Sequence, residues 1–551
     1  MAIHSRRQAV KRTPPVAKAN TVIAPIGGID ATTILSSGDP LFSIYSINLL
    51  PAEFGLQVRK GYREWQINLD NGAGISVNTM IPFGGLDDDA TDDRLFAVTN
   101  EGIWDVTIAE AAPSLEVTFA DQTAEAGYGV FVHTTTIAQE ELVFYADSKN
   151  GLHQYSAGTG LWTIPAITGT GAPSPAEDLV IGNVNFITSH NGRLWLIEEN
   201  KSKAWYLAVD AVAGAADEFF FGPKMPHGGN LAGLFPWTID SGTGIDDYLV
   251  AVGRAGDILP YRGTDPGSAD GWELSGKWFI GAIPKGPKIA TQDGGDLNIL
   301  SAYGLTSMNE LVVGTDGKNA AAADETKKIS LLIKNAMEQS RTDDGWDVSM
   351  VKGVSSMIIT QPQLDNGNYV QFVRHTTTQG WGLWRQVPIS GFDEWQGKVY
   401  FGTKDLRIAV MDVPVDNLLI TPTAPINGDS IDFSILTSYQ DFGEPGLHKR
   451  GKYARPYFLS ISAPASTTKF RYDYDLREVL NVGADPATTG SEWDVGMWDD
   501  ALWGTSELTA KAPVSGGAGM GRNMALSMSG ASRVETTLIS WDVVWDSGAP
   551  L

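Results

Sequence analysis

The chain contains no cysteine in its 551 residues. Disulfides and thiolate metal sites are therefore excluded, and stability has to come from packing and assembly. Also missing is any Gly-His dipeptide. That removes one fixed point of the WD40 repeat, so Trp-Asp pairs such as Trp104-Asp105, Trp346-Asp347 and Trp541-Asp542 read better as core tryptophans beside turn aspartates. No apolar run approaches the roughly 18 residues that would span a bilayer. Long helical periodicity is nearly absent as well, and a soluble all-β chain is expected. Basic residues are scarce: 40 Lys and Arg stand against 65 Asp and Glu, for a formal charge of -25. Affinity for nucleic acid rests on cations neutralising phosphates, so a body this acidic repels a passing duplex rather than holding it.

What is present is repetition. Strand-turn-strand signatures recur about every 50 residues: DRLFAVTNEGIWDV from Asp93, ELVFYADSKNGLHQY from Glu141, GRLWLIEENKSKAWYL from Gly192, DYLVAVGRAGDILPY from Asp247, GDLNILSAYGLTS from Gly295 and GKVYFGTKDLRIAVMDV from Gly397. A weaker copy, SSMIITQPQLDNGNYVQFV from Ser355, fills the double interval before the last. One such hairpin cannot bury a face alone, so the repetition implies blades packed face to face around an axis.

The expected fold class is all-β: a β-propeller of about seven blades, within a range of six to eight, over residues 66–427, with a C-terminal β-sandwich-like domain over 428–551. Residues 21–65 read as an extended lead-in, and a chain end is expected to complete the last blade by pairing with strands from the far end. One helix is expected within Asn319–Gln339, inserted between blades, where Ile329, Leu332, Ile333 and Ala336 fall at helical spacing.

Residues 1–20 reverse the charge balance. Arg6, Arg7, Lys11, Arg12 and Lys18 form a basic arm, and removing its five positive charges leaves -30 on the remainder of a chain whose total is -25. These are the candidate partner-binding residues. Three readings stand: a solvated tail, a tail that orders on an acidic neighbouring subunit, and a contact with nucleic acid.

Catalytic spacing is not found. The seven histidines are scattered, without HxH or HExxH. The acidic loop with Asp87, Asp88, Asp89, Asp92 and Asp93 lacks the EF-hand pattern and reads as a solvated turn. SADGW at Ser268 and TDDGW at Thr342 have the wrong spacing for the aspartate-box turns of sialidase-like propellers, and the glycine run from Ser515 lacks the Lys-Ser/Thr of a phosphate loop. No enzyme, cofactor or metal site is expected.

Taken together, GLQVRKGYREW, DRLFAVTNEGIWDVT, GDLNILSAYGLTS, TSYQDFGEPGLHKRGKYARPYF and SEWDVGMWDDALWG resemble segments of the tail nozzle or tail hub proteins, virion structural proteins of short-tailed bacteriophages. The resemblance runs from about residue 50 to 510. It implies a β-propeller subunit that assembles into a homo-oligomeric ring, commonly a hexamer, with tail adaptor and tail fibre proteins as neighbours. Genome DNA would pass through the lumen without sequence-specific contact, and the host cell surface is a further partner to expect. Two rival classes are a receptor-binding or glycan-binding propeller of the virion and a sialidase-like glycoside hydrolase.

Overall fold

Every one of the hairpin signatures forms the second and third strands of a blade. In the first, Arg94–Thr99 pairs with Gly102–Asp105, flanked by Val77–Phe83 on the inside and Ser114–Thr118 on the outside. A computed structural model describes residues 17–33, 35–85, 92–109, 112–171, 177–240, 245–268, 271–313, 325–419, 428–461, 464–477, 509–511, 515–516 and 519–550. Contacts divide the chain into two units, one of residues 29–32 and 59–431 and the other of residues 1–28, 33–58 and 432–551.

The larger unit is a β-propeller with seven blades. Their first strands are Val77–Phe83, Gly129–Thr135, Val184–His190, Leu231–Asp240, Ala290–Asp293, Asp347–Val351 and Gly391–Trp395, and successive first strands pack on one another around the axis, except that Leu231–Asp240 meets the fifth blade through its second strand, Asp296–Ser301. Second strands are buried on both faces because each lies between two neighbouring blades. Leu142 through Asp147 are buried without a break, as are Leu194 through Glu198. This is why they read as continuous apolar runs rather than as alternation.

Aromatic side chains fill the spaces between blades. Trp195, fully buried, has Tyr206, Phe219, Phe221 and Trp272 with ring centroids 5.0–6.4 Å away. Its indole N–H is buried without an acceptor among the described residues. Trp104, Trp346 and Trp541 are likewise core residues, each at most 5% exposed. Their aspartate partners sit in strands or at strand ends rather than in turns.

Four blades share a device that the sequence does not announce. Near the second-to-third turn a buried carboxylate reaches back and accepts a backbone N–H from the loop entering its own blade. Glu101 accepts from Asn71 and Ala73, Asp147 from Gly127, Glu198 from Val180, and Asp257 from His227. These bonds satisfy orphan donors at the place where the chain crosses from one blade to the next.

The fifth blade has three strands, ending at Gly304–Ser307. The edge of that last strand is covered by the returning chain: Leu305 N–H donates to Thr326 Oγ1 and Glu325 N–H to Leu305 O. The expected helix forms as Ser330–Ser340, with Ile333 and Ala336 buried in the core shared with the sixth blade.

The seventh blade takes its outer strand from the opposite end of the unit. Gly61–Gln66 pairs antiparallel with Ile408–Val413, which closes the ring and leaves no open edge at the seam. Three arginine–carboxylate pairs fasten it. Arg59 grips Asp416 with both guanidinium nitrogens (2.8 and 2.6 Å), Arg63 holds Asp412 at 2.9 Å, and Arg407 holds Glu64 at 2.7 Å. Gly61 is required by contact: a Cβ there would lie 2.0 Å from Val415 O.

The smaller unit is a β-sandwich-like pair of sheets. In one, Thr536–Pro550 lies between Leu447–Ser460 and two N-terminal strands, Ala17–Ile23 and Gly55–Val58. In the other, Ser43–Ile47, Ile431–Thr437, Met524–Ser532 and Ala465–Tyr472 lie side by side. Phe433 and Phe458 meet between the sheets at 6.5 Å. Residues 21–65, read from sequence as one lead-in, are thus divided: strands up to Val58 belong to the sandwich and Gly61–Gln66 to the propeller.

Candidate functional site

Of the basic arm, Arg6, Arg7, Lys11 and Arg12 lie outside the described residues. Lys18 is on the strand Ala17–Ile23, where its ammonium pairs with Glu444 of the same chain and lies 5.1 Å from the centre of the Trp545 ring. The neighbouring loop is fixed by Lys449, a buried lysine whose Nζ donates to the carbonyls of Glu444, Leu447 and Arg522 at 2.7–3.1 Å. Of the acidic loop, Asp87, Asp88 and Asp89 lie outside the described residues. Asp93 accepts from Gly85 N–H and from the Gln396 amide, both at 3.0 Å. Among the described residues no group of three or more His, Asp or Glu is placed to hold a metal ion. No described helix is long and apolar enough to cross a membrane. The SEWDVGMWDDALWG segment also lies outside the described residues.

The polar chemistry gathers instead on the propeller axis. Strand order dictates this, because the loops that enter first strands and the turns that join second to third strands all open on one face. Asn230, Lys285 and Asp344 come from the first kind of loop, and Ser148, Glu199 and Arg254 from the second. They surround a cavity of about 150 Å³. Lys285 bridges two acids, Asp344 at 2.7 Å and Glu125 at 3.2 Å, and Glu125 is also held by Lys149 at 2.7 Å. Burial pushes the Asp344 carboxyl up from its usual range, partly offset by Lys285. The Arg254 guanidinium uses Nη1 on the carbonyls of Pro284 (2.7 Å) and Gly286 (3.0 Å), and burial lowers its pKa.

Below this cavity the axis is plugged. Tyr128, Lys288, Trp346 and Ser390 close around a void of only about 10 Å³. Lys288 has one ammonium for two acids, Asp347 at 3.2 Å and Asp393. Burial lowers its pKa, but the two carboxylates more than offset that and raise it. Asp393 is left short, and burial pushes it up to about 6 despite Lys288 and a backbone N–H bond.

A raised carboxyl means that the native state binds the proton more strongly than the unfolded chain. Its stability contribution is full below about pH 4 and lost as pH rises through about 6. We expect Asp393→Asn, which cannot charge, to gain about 2 kcal/mol on wild type at pH 7 relative to pH 4. Urea unfolding at the two pH values checks this, and an unchanged difference would refute it.

Sequence reasoning missed this site because its residues come from loops of five blades that are far apart in the chain. TDDGW, set aside for its spacing, places Asp344 at the cavity and Trp346 in the plug.

No family model matches this chain, and no curated protein matches it. Among solved structures it is similar to the extracellular domains of two hybrid two-component systems of B. thetaiotaomicron. Identity is 14% and 12%, coverage 63% and 64% of this chain, and TM-score 0.37 and 0.36. The chain spans less than half the length of either, 42% and 39%. It is also similar to the Pan2 WD40 domain of Neurospora crassa at 11% identity, covering 63% of this chain and 95% of that one, with TM-score 0.35.

Proposed function

We propose that this chain is a structural subunit of the tail of a short-tailed bacteriophage. It would form the ring-shaped nozzle, or hub, that retains genome DNA and then conducts it during ejection. The observation that carries the reading is the resemblance of five segments spread from about residue 50 to 510. Four of them fall on described residues: they hold the strands Gly55–Val58 and Gly61–Gln66, the second and third strands of blades one and five, and the chain from Thr437 into Leu447–Ser460.

The plugged axis sharpens the reading. With the blades packed closely around a void of about 10 Å³, the reading runs the DNA between subunits, with the blades as wall. Six copies at -25 each carry -150, a like-charged surround that keeps phosphates from sticking. The chemistry asked of the chain is assembly rather than catalysis, and a head-to-tail ring needs a donor and an acceptor surface on every copy. The basic arm against an acidic body is one such pair.

Imaging of purified particles, or of the purified chain at high concentration, tests the assembly: a hexamer with a central channel is expected, and a trimeric spike or a persistent monomer would overturn it. The arm has its own test. Deleting residues 1–16, which spares the strand Ala17–Ile23, is expected to reduce ring or tail assembly at least about tenfold at 0.15 M salt, where surface charges still act over about 8 Å. Undiminished assembly would leave the arm as a solvated tail.

A further inference from the structure

The axial cavity holds two charges that make no direct ion pair among the described residues. Lys285, Lys149, Asp344 and Glu125 neutralise one another by direct contact. Arg254 is different. Beyond its two carbonyls the guanidinium makes no ion pair among the described residues, and it senses Glu199 and Asp344 only through space. Glu199 likewise lines the cavity without a side-chain hydrogen bond or ion pair among the described residues, and Lys149 senses it only through space. A half-buried cation and a carboxylate therefore face a common space while standing too far apart to pair.

We propose that this cavity binds a small zwitterion of the α-amino-acid class, with its carboxylate on Arg254 and its ammonium on Glu199. A lone anion is repelled by Glu199 and a lone cation by Arg254, and a neutral ligand leaves both charges uncompensated. Asn185, Asn230 and Ser148 add uncharged donors and acceptors around the same space. Size limits the choice. The cavity of about 150 Å³ suits glycine, alanine or serine, the smallest members of the class. The rival occupant is ordered water alone. The inference does not depend on the tail role.

Calorimetric titration of the full chain with glycine, L-alanine and L-serine, and with acetate and methylammonium as single-charge controls, decides between them. At least one of the three amino acids is expected to bind, with both controls weaker by about tenfold or more. Glu199→Gln is expected to lower the affinity for that amino acid by at least about tenfold, since a bond to a charged group is worth that much. Arg254 also anchors two carbonyls, so Arg254→Lys is read alongside a thermal melt, and Glu199→Gln carries the decision. Failure of all three amino acids to bind at about 10 mM, a weak limit by affinity arithmetic, would overturn the proposal. So would acetate binding as well as glycine, or unchanged affinity in Glu199→Gln.

Discussion

Replacing Arg59 by methionine is expected to destabilise the propeller by about 3–5 kcal/mol, the cost of removing one partner of a buried ion pair. Arg59 is 5% and Asp416 8% exposed. Without the guanidinium the Asp416 carboxylate stays enclosed with no cation in contact, and the strand Gly61–Gln66 loses the first of its three clamps. Thermal or urea unfolding reads the loss. The double variant Arg59→Met with Asp416→Leu separates charge from packing. Removing both ends is expected to recover at least half of the loss, because a buried pair replaced by apolar groups is often neutral. If the double variant is as unstable as the single, strand docking rather than the stranded charge is what Arg59 supplies. By comparison Arg63 and Arg407, each about a third exposed, are expected to cost about 1 kcal/mol or less when truncated.

The second large effect is at Trp195. Trp195→Ala removes the centre of the aromatic layer between the third and fourth blades and is expected to cost about 3–5 kcal/mol, through lost transfer energy and a cavity that four rings cannot collapse to fill. Trp195→Phe should cost less than about 1.5 kcal/mol. It loses ring area but also discards an indole N–H that has no acceptor among the described residues. The pair of variants is diagnostic when read by urea unfolding. Equal losses would mean that the N–H has a partner, such as a buried water, that the ring contacts do not show.

Much of the propeller was legible because the middle of each blade is sealed on both sides. Phe96, Val143, Leu196 and Val250 are core residues in strands with no solvent face, and such strands appear in sequence as solid apolar runs. First and fourth strands were not legible. Leu161–Thr163 and Trp272–Leu274 are only three residues long, so no periodicity can mark them. The buried carboxylates Glu101, Asp147, Glu198 and Asp257 read as turn acids, since nothing local distinguishes an acid that reaches inward from one that faces water. Their recurrence at the blade period was the available signal. The axial cavity gave no local signal at all. Glu199 and Arg254 lie in turns of different blades, and only the closure of the ring brings them to one space. Closure itself was anticipated as a chain end pairing with the far strands. What the sequence could not supply is that the strand is Gly61–Gln66, because its partner, Ile408–Val413, lies about 340 residues away.

That separation sets an order of events during synthesis. At about 5–20 residues per second, the strand Gly61–Gln66 leaves the ribosome roughly 20–70 s before Ile408–Val413 exists to receive it. The strand Ala17–Ile23 waits longer still for Thr536–Pro550. Both are edges in search of a partner throughout that interval, and a neighbouring nascent chain offers the same partner sequence. A truncated product lacking residues 408–413 can stack its early blades but cannot seal them. Sealing the ring with its earliest strand therefore makes a finished propeller proof that translation has run through all seven blades.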